Sequence, residues 1–116
     1  MLFKPEFIEL IKSGRKTQTR RLWKTAHVRV GGVYDARTKL FERASVFARI
    51  QVLSLRREKI AEISEDDARA EGFASRVEFL KAFRRINQNK SRKAGRGLAW
   101  VVTFRYVGPP RGKEAV

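Results

Sequence analysis

The chain has 116 residues, 42% of them hydrophobic, which suits one compact domain with room for a core. It holds no cysteine and a single histidine, His27, which excludes a disulfide framework, a thiolate zinc site, a cysteine nucleophile and a histidine-rich metal cluster. Lys and Arg number 27 against 12 acids, a net charge of +15 that speaks about partners and points to RNA or a nucleotide.

In chain order, Pro5 is a good first helical residue. Phe7, Leu10 and Ile11 follow at helical spacing, and Gly14 supplies the stop. Residues 17–23 alternate with a period of two: Thr17, Thr19 and Arg21 on one face, Gln18, Arg20 and Leu22 on the other. Gly31-Gly32 marks a turn before a strand around Val33–Thr38. A longer strand, rich in Val, Ile and Phe, is predicted from Ala44 to about Leu55. Ser64-Glu65-Asp66-Asp67 opens a helix with a capping-box pattern, and Gly72 ends it. Ser75-Arg76-Val77-Glu78 opens another with the same device, its apolar face made by Phe79, Leu80, Phe83 and Ile86. Residues 87–97 are polar and basic, and Leu98–Val107 reads as a buried strand. The fold class expected is α+β: a small mixed β-barrel of five to six strands with three short helices. It should occupy residues 1–108, with 109–116 as a flexible tail.

No stretch approaches the roughly 20 apolar residues of a membrane span, and no apolar leader opens the chain. The expectation is a soluble, cytoplasmic protein with no membrane partner, metal or cofactor. Basic residues concentrate in the 87–97 segment, where Lys90, Arg92, Lys93 and Arg96 fall within seven positions. They are the best candidates for polymer phosphates, and the same run also reads as a solvated loop. Trp23, beside Lys24 and following Arg20 and Arg21, is the aromatic placed for base stacking. Trp100 reads as core. Arg56-Arg57 either extend a basic stripe or face water.

Gly14-Arg15-Lys16-Thr17-Gln18-Thr19-Arg20-Arg21 resembles the Gly-x-Lys-x-x-Thr-x-Arg signature of the ASCH domain, a relative of the PUA domain. The segment Ile63–Phe73 resembles a second family element, a short acidic helix after the central strands, and the resemblance spans about Leu2 to Val107. It implies a PUA-like barrel with a cleft lined by the signature, binding RNA or nucleotides. Some bacterial members of the family are small amidohydrolases that remove the acetyl group from N4-acetylcytidine, with a lysine as base, a threonine as nucleophile and a glutamate as proton donor. By motif position these roles fall on Lys16, Thr19 and Glu71, while Arg21 matches the signature arginine. At least one other member is a ribonuclease, so the fold does not fix the chemistry. Arg20 stands where the small amidohydrolases tend to carry an apolar residue. With the elaborate segments 22–30 and 87–97, it favours a polymer over a free nucleoside.

The residue types agree with that chemistry. A threonine hydroxyl attacks only if a base takes its proton. Lys16 can serve if burial and the like charges of Arg15, Arg20 and Arg21 lower its pKa. Glu71 falls at a helix end, where the macrodipole disfavours a carboxylate and suits a proton donor. The same residues also read as plain structure: strand threonines, a lysine complementing a helix C-terminus, and a glutamate paired with an arginine. Three functions follow: RNA or nucleotide binding in a basic cleft through Lys16, Arg20, Arg21 and Trp23; amide hydrolysis on an N4-acylated cytidine; or metal-independent RNA cleavage.

Overall fold

The computed structural model describes residues 1–87 and 97–112. Four strands, β1 (Gln18–Arg21), β2 (Val33–Arg37), β3 (Val46–Lys59) and β4 (Leu98–Gly108), form one antiparallel sheet in the order β1-β4-β3-β2. Three helices, α1 (Ile8–Lys12), α2 (Glu65–Ala70) and α3 (Arg76–Asn87), complete the α+β fold. The first helix is preceded by a 3-10 turn at Pro5–Phe7.

The described residues give four strands in an open order, where a barrel of five to six was expected. Val28 is buried, but 22–32 makes no strand. The remaining gap is spanned by the first residues of the chain. Leu2 makes an isolated parallel bridge to Arg37 at the β2 edge. On its other side, Arg21 of β1 reaches the Leu2 carbonyl through its guanidinium, Nη2 to oxygen 2.6 Å. The sheet stays open, with a side-chain contact where a barrel would have a ladder.

β3 is long because it serves two neighbours. Its first half pairs with β2, and Arg49 to Lys59 pair with β4, with register shifts between Arg49 and Ile50 and between Val52 and Ser54. Such irregularities bend a strand and increase its twist. The second half of β3 and the whole of β1 then flank the same stretch of β4. Arg20 and Arg56 both lie opposite Val101, and Arg21 and Arg57 both lie opposite Trp100. This register brings charges from two strands to one end of the sheet.

The helix starts follow the sequence pattern. Ser64 Oγ accepts from the Asp67 N–H at 3.0 Å, and Ser75 Oγ accepts from the Glu78 N–H at 3.2 Å. One core group, Phe3, Ile11, Phe47, Ile50 and Phe104, packs α1 and the chain start onto the sheet. Another, Ile60, Ile63, Ala68, Phe79 and Phe83, holds α2 and α3 beside it.

Candidate functional site

Two turns aim the central residues. Gly14, at φ +81°, lets the chain reverse after α1, and the N–H groups of Arg15 and Lys16 both donate to the Leu10 carbonyl at 2.9 Å. Thr17 then bridges layers: its N–H donates to Ala70 O at 2.8 Å, and its carbonyl accepts from Phe104 N at 2.9 Å. Across from it α2 ends at Gly72, φ +101°, with Phe73 N donating back to Ala68 O at 3.0 Å. A Cβ on Gly72 would stand 3.2 Å from Leu10 Cδ1, so α1 and α2 meet at a glycine. The result is that Lys16 and Glu71, 55 positions apart, face one another.

Both side chains are buried, Lys16 at 2% exposure and Glu71 at 4%. Lys16 Nζ donates to Glu71 O at 2.6 Å, to Gln18 O at 2.9 Å and to Glu71 Oε1 at 3.2 Å, and sits 4.4 Å from the centre of the Phe7 ring. All three ammonium hydrogens are therefore committed. Burial holds the Lys16 pKa below its ordinary value of 10.5; the Glu71 carboxylate opposes that shift, and Arg21 and Arg20 add to it. Arg15 is exposed and is not among the groups acting on Lys16.

Thr19 is buried too, and its Oγ1 accepts from Arg21 Nε at 3.0 Å; it is not a hydrogen-bond partner of Lys16. Arg21 lies 5.0 Å from the centre of the Phe3 ring, and burial lowers its pKa against the pull of Glu71. As the strand alternation predicts, Thr19 and Arg21 share one face of β1, while Gln18 and Arg20 share the other.

Arg20 is the residue that the structure explains most fully. Its guanidinium is enclosed by acids: Nη1 to Glu71 Oε2 at 3.1 Å, Nη2 to Glu58 Oε1 at 2.8 Å and to Asp67 Oδ2 at 3.2 Å. Nη1 also donates to Gln18 Oε1 at 2.9 Å, and Nε is buried without a partner. Arg56 extends the network, donating to Glu58 Oε2 at 3.0 Å and Asp67 Oδ2 at 2.8 Å. Burial would raise the Glu58 pKa, but the hydrogen bonds and charges of Arg20 and Arg56 outweigh it and hold the carboxyl below its usual 4.5. The Glu71 carboxylate thus stands between two cations, which the helix-end argument left out. Arg57 does not extend a basic stripe with Arg56; its guanidinium covers the Trp100 ring at 4.5 Å.

Lys16, Thr19, Arg20, Arg21, Trp23 and Glu71 all line one cleft of about 550 Å³. Its apolar wall comes from Phe3, Phe7, Phe73, Phe79 and Phe83, and Thr38 also lines it. Trp23 stacks on His27, ring centres 4.5 Å apart. Lys90, Arg92, Lys93 and Arg96 lie outside the described residues. Sequence reasoning missed Glu58, Asp67 and Gln18, the partners of Arg20. Asp67 carried a signal as the acid of a capping pattern, and Gln18 as the residue on the same strand face as Arg20.

No protein-family model and no curated protein matches the chain. Solved structures do. Protein EF3133 from Enterococcus faecalis V583, a DUF984 protein, superposes with a TM-score of 0.72 at 18% identity, over 96% of this chain and 72% of that one. An ASCH domain from Lactobacillus crispatus JV V101 gives 0.71 at 18% identity, over 87% and 70%. ASCH from Zymomonas mobilis gives 0.62 at 15% identity, over 98% and 73%. The chain has the ASCH-domain fold.

Proposed function

We propose that the cleft binds a nucleobase, on a nucleoside or in RNA, and that Lys16, Thr19 and Glu71 hydrolyse an amide on it, such as the N4-acetyl group of cytidine. The observation that carries this reading is the buried Lys16–Glu71 pair in a cleft that also holds Thr19. A volume of about 550 Å³, with aromatic walls and polar side chains from Lys16, Thr19, Arg21 and Glu71, suits a small planar ligand.

The pair can exist in two forms. As drawn by its hydrogen bonds, it is an ammonium and a carboxylate 3.2 Å apart. Passing one proton across would give an amine and a carboxylic acid, and the lowered Lys16 pKa supports the amine side of that exchange. An amine can take the Thr19 proton as Oγ1 attacks the acyl carbon. The acid can protonate the departing N4 as the C–N bond breaks. Water then releases acetate from the threonine ester. Thr19 must exchange its Arg21 contact for Lys16 as the ligand enters, a tightening common when a site fills.

Arg20 serves this reading by positioning Glu71. With three carboxylates around it, its guanidinium is committed within the protein, which leaves Arg21 and Trp23 to meet the ligand. This commitment weighs against a ribonuclease or a plain phosphate grip built on Arg20.

The test is release of acetate from N4-acetylcytidine, free and within an oligonucleotide. Wild type should be active, and Lys16→Ala and Thr19→Ala should each lose about 100-fold or more. Activity unchanged by either substitution removes the hydrolase assignment. Cytidine-dependent quenching of Trp23 fluorescence, with Trp23→Phe as control, reads binding separately. Quenching without hydrolysis would leave a nucleobase-binding module.

A further inference from the structure

A second concavity, of about 490 Å³, lies away from the Lys16–Glu71 pair, where the start of β3 meets the end of β4. Among the described residues Arg43, Arg49, Arg111 and Asp35 line it, and Asp35 lies 3.7 Å from Arg37. This is a built pocket. Arg49 Nε donates to the Pro109 carbonyl at 2.8 Å, which fixes the guanidinium. The residue opposite Arg49 in the register is Gly108, at φ +152°, and a Cβ there would come within 2.8 Å of Arg49 Nη2. Any side chain at 108 would have to displace the Arg49 guanidinium from this position. Beside it on the same strands, Arg105 is held by Gln51, Nε to Oε1 3.0 Å.

The loop between β2 and β3 runs from the cleft to this pocket: Thr38 lines the one and Arg43 lines the other. It is held shut at its base. Thr38 N donates to Ser45 O at 3.3 Å, and Lys39 N to Ser45 Oγ at 3.1 Å. At its tip Phe41 is 97% exposed and takes the left-handed conformation, φ +59°, which a phenylalanine rarely adopts. A pinned loop that strains its backbone to hold an aromatic ring in water presents that ring to something. Its flanks are Leu40, Lys39 and Arg43.

We infer that this face is a second nucleic-acid site, in which the Arg43–Arg49–Arg111 pocket takes backbone phosphates of a single-stranded RNA and Phe41 stacks on one of its bases. Arginine guanidinium forks match phosphate oxygens bidentately. Aromatic platforms beside a cationic groove are how single strands are held without sequence readout. The net charge of +15 favours the same polyanion. Two apolar residues at a tip are too little to anchor a chain in a lipid surface, whereas one ring is enough for one base. A strand seated here would run along the loop toward Thr38 and so toward the cleft.

The test is anisotropy of a fluorescein-labelled 12-nucleotide single-stranded RNA titrated at several salt concentrations, with wild type, Arg43→Ala/Arg111→Ala and Phe41→Ala. These positions are exposed, so unchanged thermal melting checks the fold. The double substitution should lower the slope of log affinity against log salt by about 1.4, two phosphates at roughly 0.7 each on a single strand. Phe41→Ala should weaken binding about fivefold or more while leaving that slope unchanged. Unaltered affinity and slope in both variants overturn the inference. Co-sedimentation with phosphatidylserine vesicles that depends on Phe41, without an RNA effect, also overturns it, in favour of a membrane. Binding is read without turnover and on a face that shares no lining residue with the cleft, so this site and the cleft chemistry stand or fall apart.

Discussion

Lys16 and Glu71 are joined twice: the ammonium donates to the Glu71 main-chain carbonyl at 2.6 Å and to its carboxylate at 3.2 Å. The main-chain contact survives any change of the Glu71 side chain, and the carboxylate contact does not. Position and chemistry can therefore be separated by substitution. Glu71→Gln should keep Lys16 in place and lose hydrolysis. Glu71→Ala removes the carboxylate from two buried cations and should cost about 3–5 kcal/mol of stability. Urea unfolding measures it, and a loss below about 1 kcal/mol would contradict the burial of this pair.

The pH dependence of stability follows from Lys16. Its folded pKa lies below 10.5, chiefly through burial. Between the folded value and 10.5 the unfolded chain binds more protons than the folded one, so this residue makes stability rise with pH in that window. Below the window both states carry the ammonium and its burial is unrelieved. In Lys16→Met the rise should be absent, seen as a difference between the two curves of unfolding free energy against alkaline pH. Parallel curves would mean that Lys16 titrates normally.

On the acid side the residue to test is Glu58. Its folded pKa is lowered, because Arg20 and Arg56 outweigh the effect of burial. The stability it contributes is present above 4.5 and is lost as pH falls through the folded value. Glu58→Gln should be less stable than wild type near neutrality and should flatten the decline in acid. Melting temperatures between pH 3 and 7 are the measurement, with an unchanged acid limb as the contrary result.

Phe41 gives a prediction of opposite sign for stability and for binding. A non-glycine residue at φ +59° costs roughly 1–2 kcal/mol, which glycine relieves in part. Phe41→Gly should raise the midpoint of thermal unfolding and weaken RNA binding together. A fall in midpoint would show that the ring packs on the fold despite its exposure.

Much of this was legible locally. Gly14 and Gly72 stop their helices at positive φ, and Ser64 and Ser75 cap theirs, because turn and cap chemistry is written in neighbouring residues. The two faces of β1 followed from alternation alone. Lys16 facing Glu71 came only through the resemblance, since no local pattern links residues 55 apart. The acids around Arg20 were hidden for the same reason. Glu58 reaches it through the register of β3 on β4 and of β4 on β1, and Asp67 through the docking of α2. Among the described residues the sheet is open with four strands, fewer than expected, because residues 22–32 make no strand and only the Arg21 contact to Leu2 O spans the gap, which no periodicity encodes.

The network around Arg20 has a consequence at long range. Lys16, Arg20 and Arg56 are matched there by Glu58, Asp67 and Glu71, so these six charges cancel. The entire excess of +15 is then carried by the rest of the chain. An approaching polyanion is drawn by that outer field, whose reach shortens to about 10 Å at 0.1 M salt. The inner pair works beside this charge-matched network, buried from the same salt. Capture should therefore weaken with ionic strength while events inside the cleft proceed unchanged.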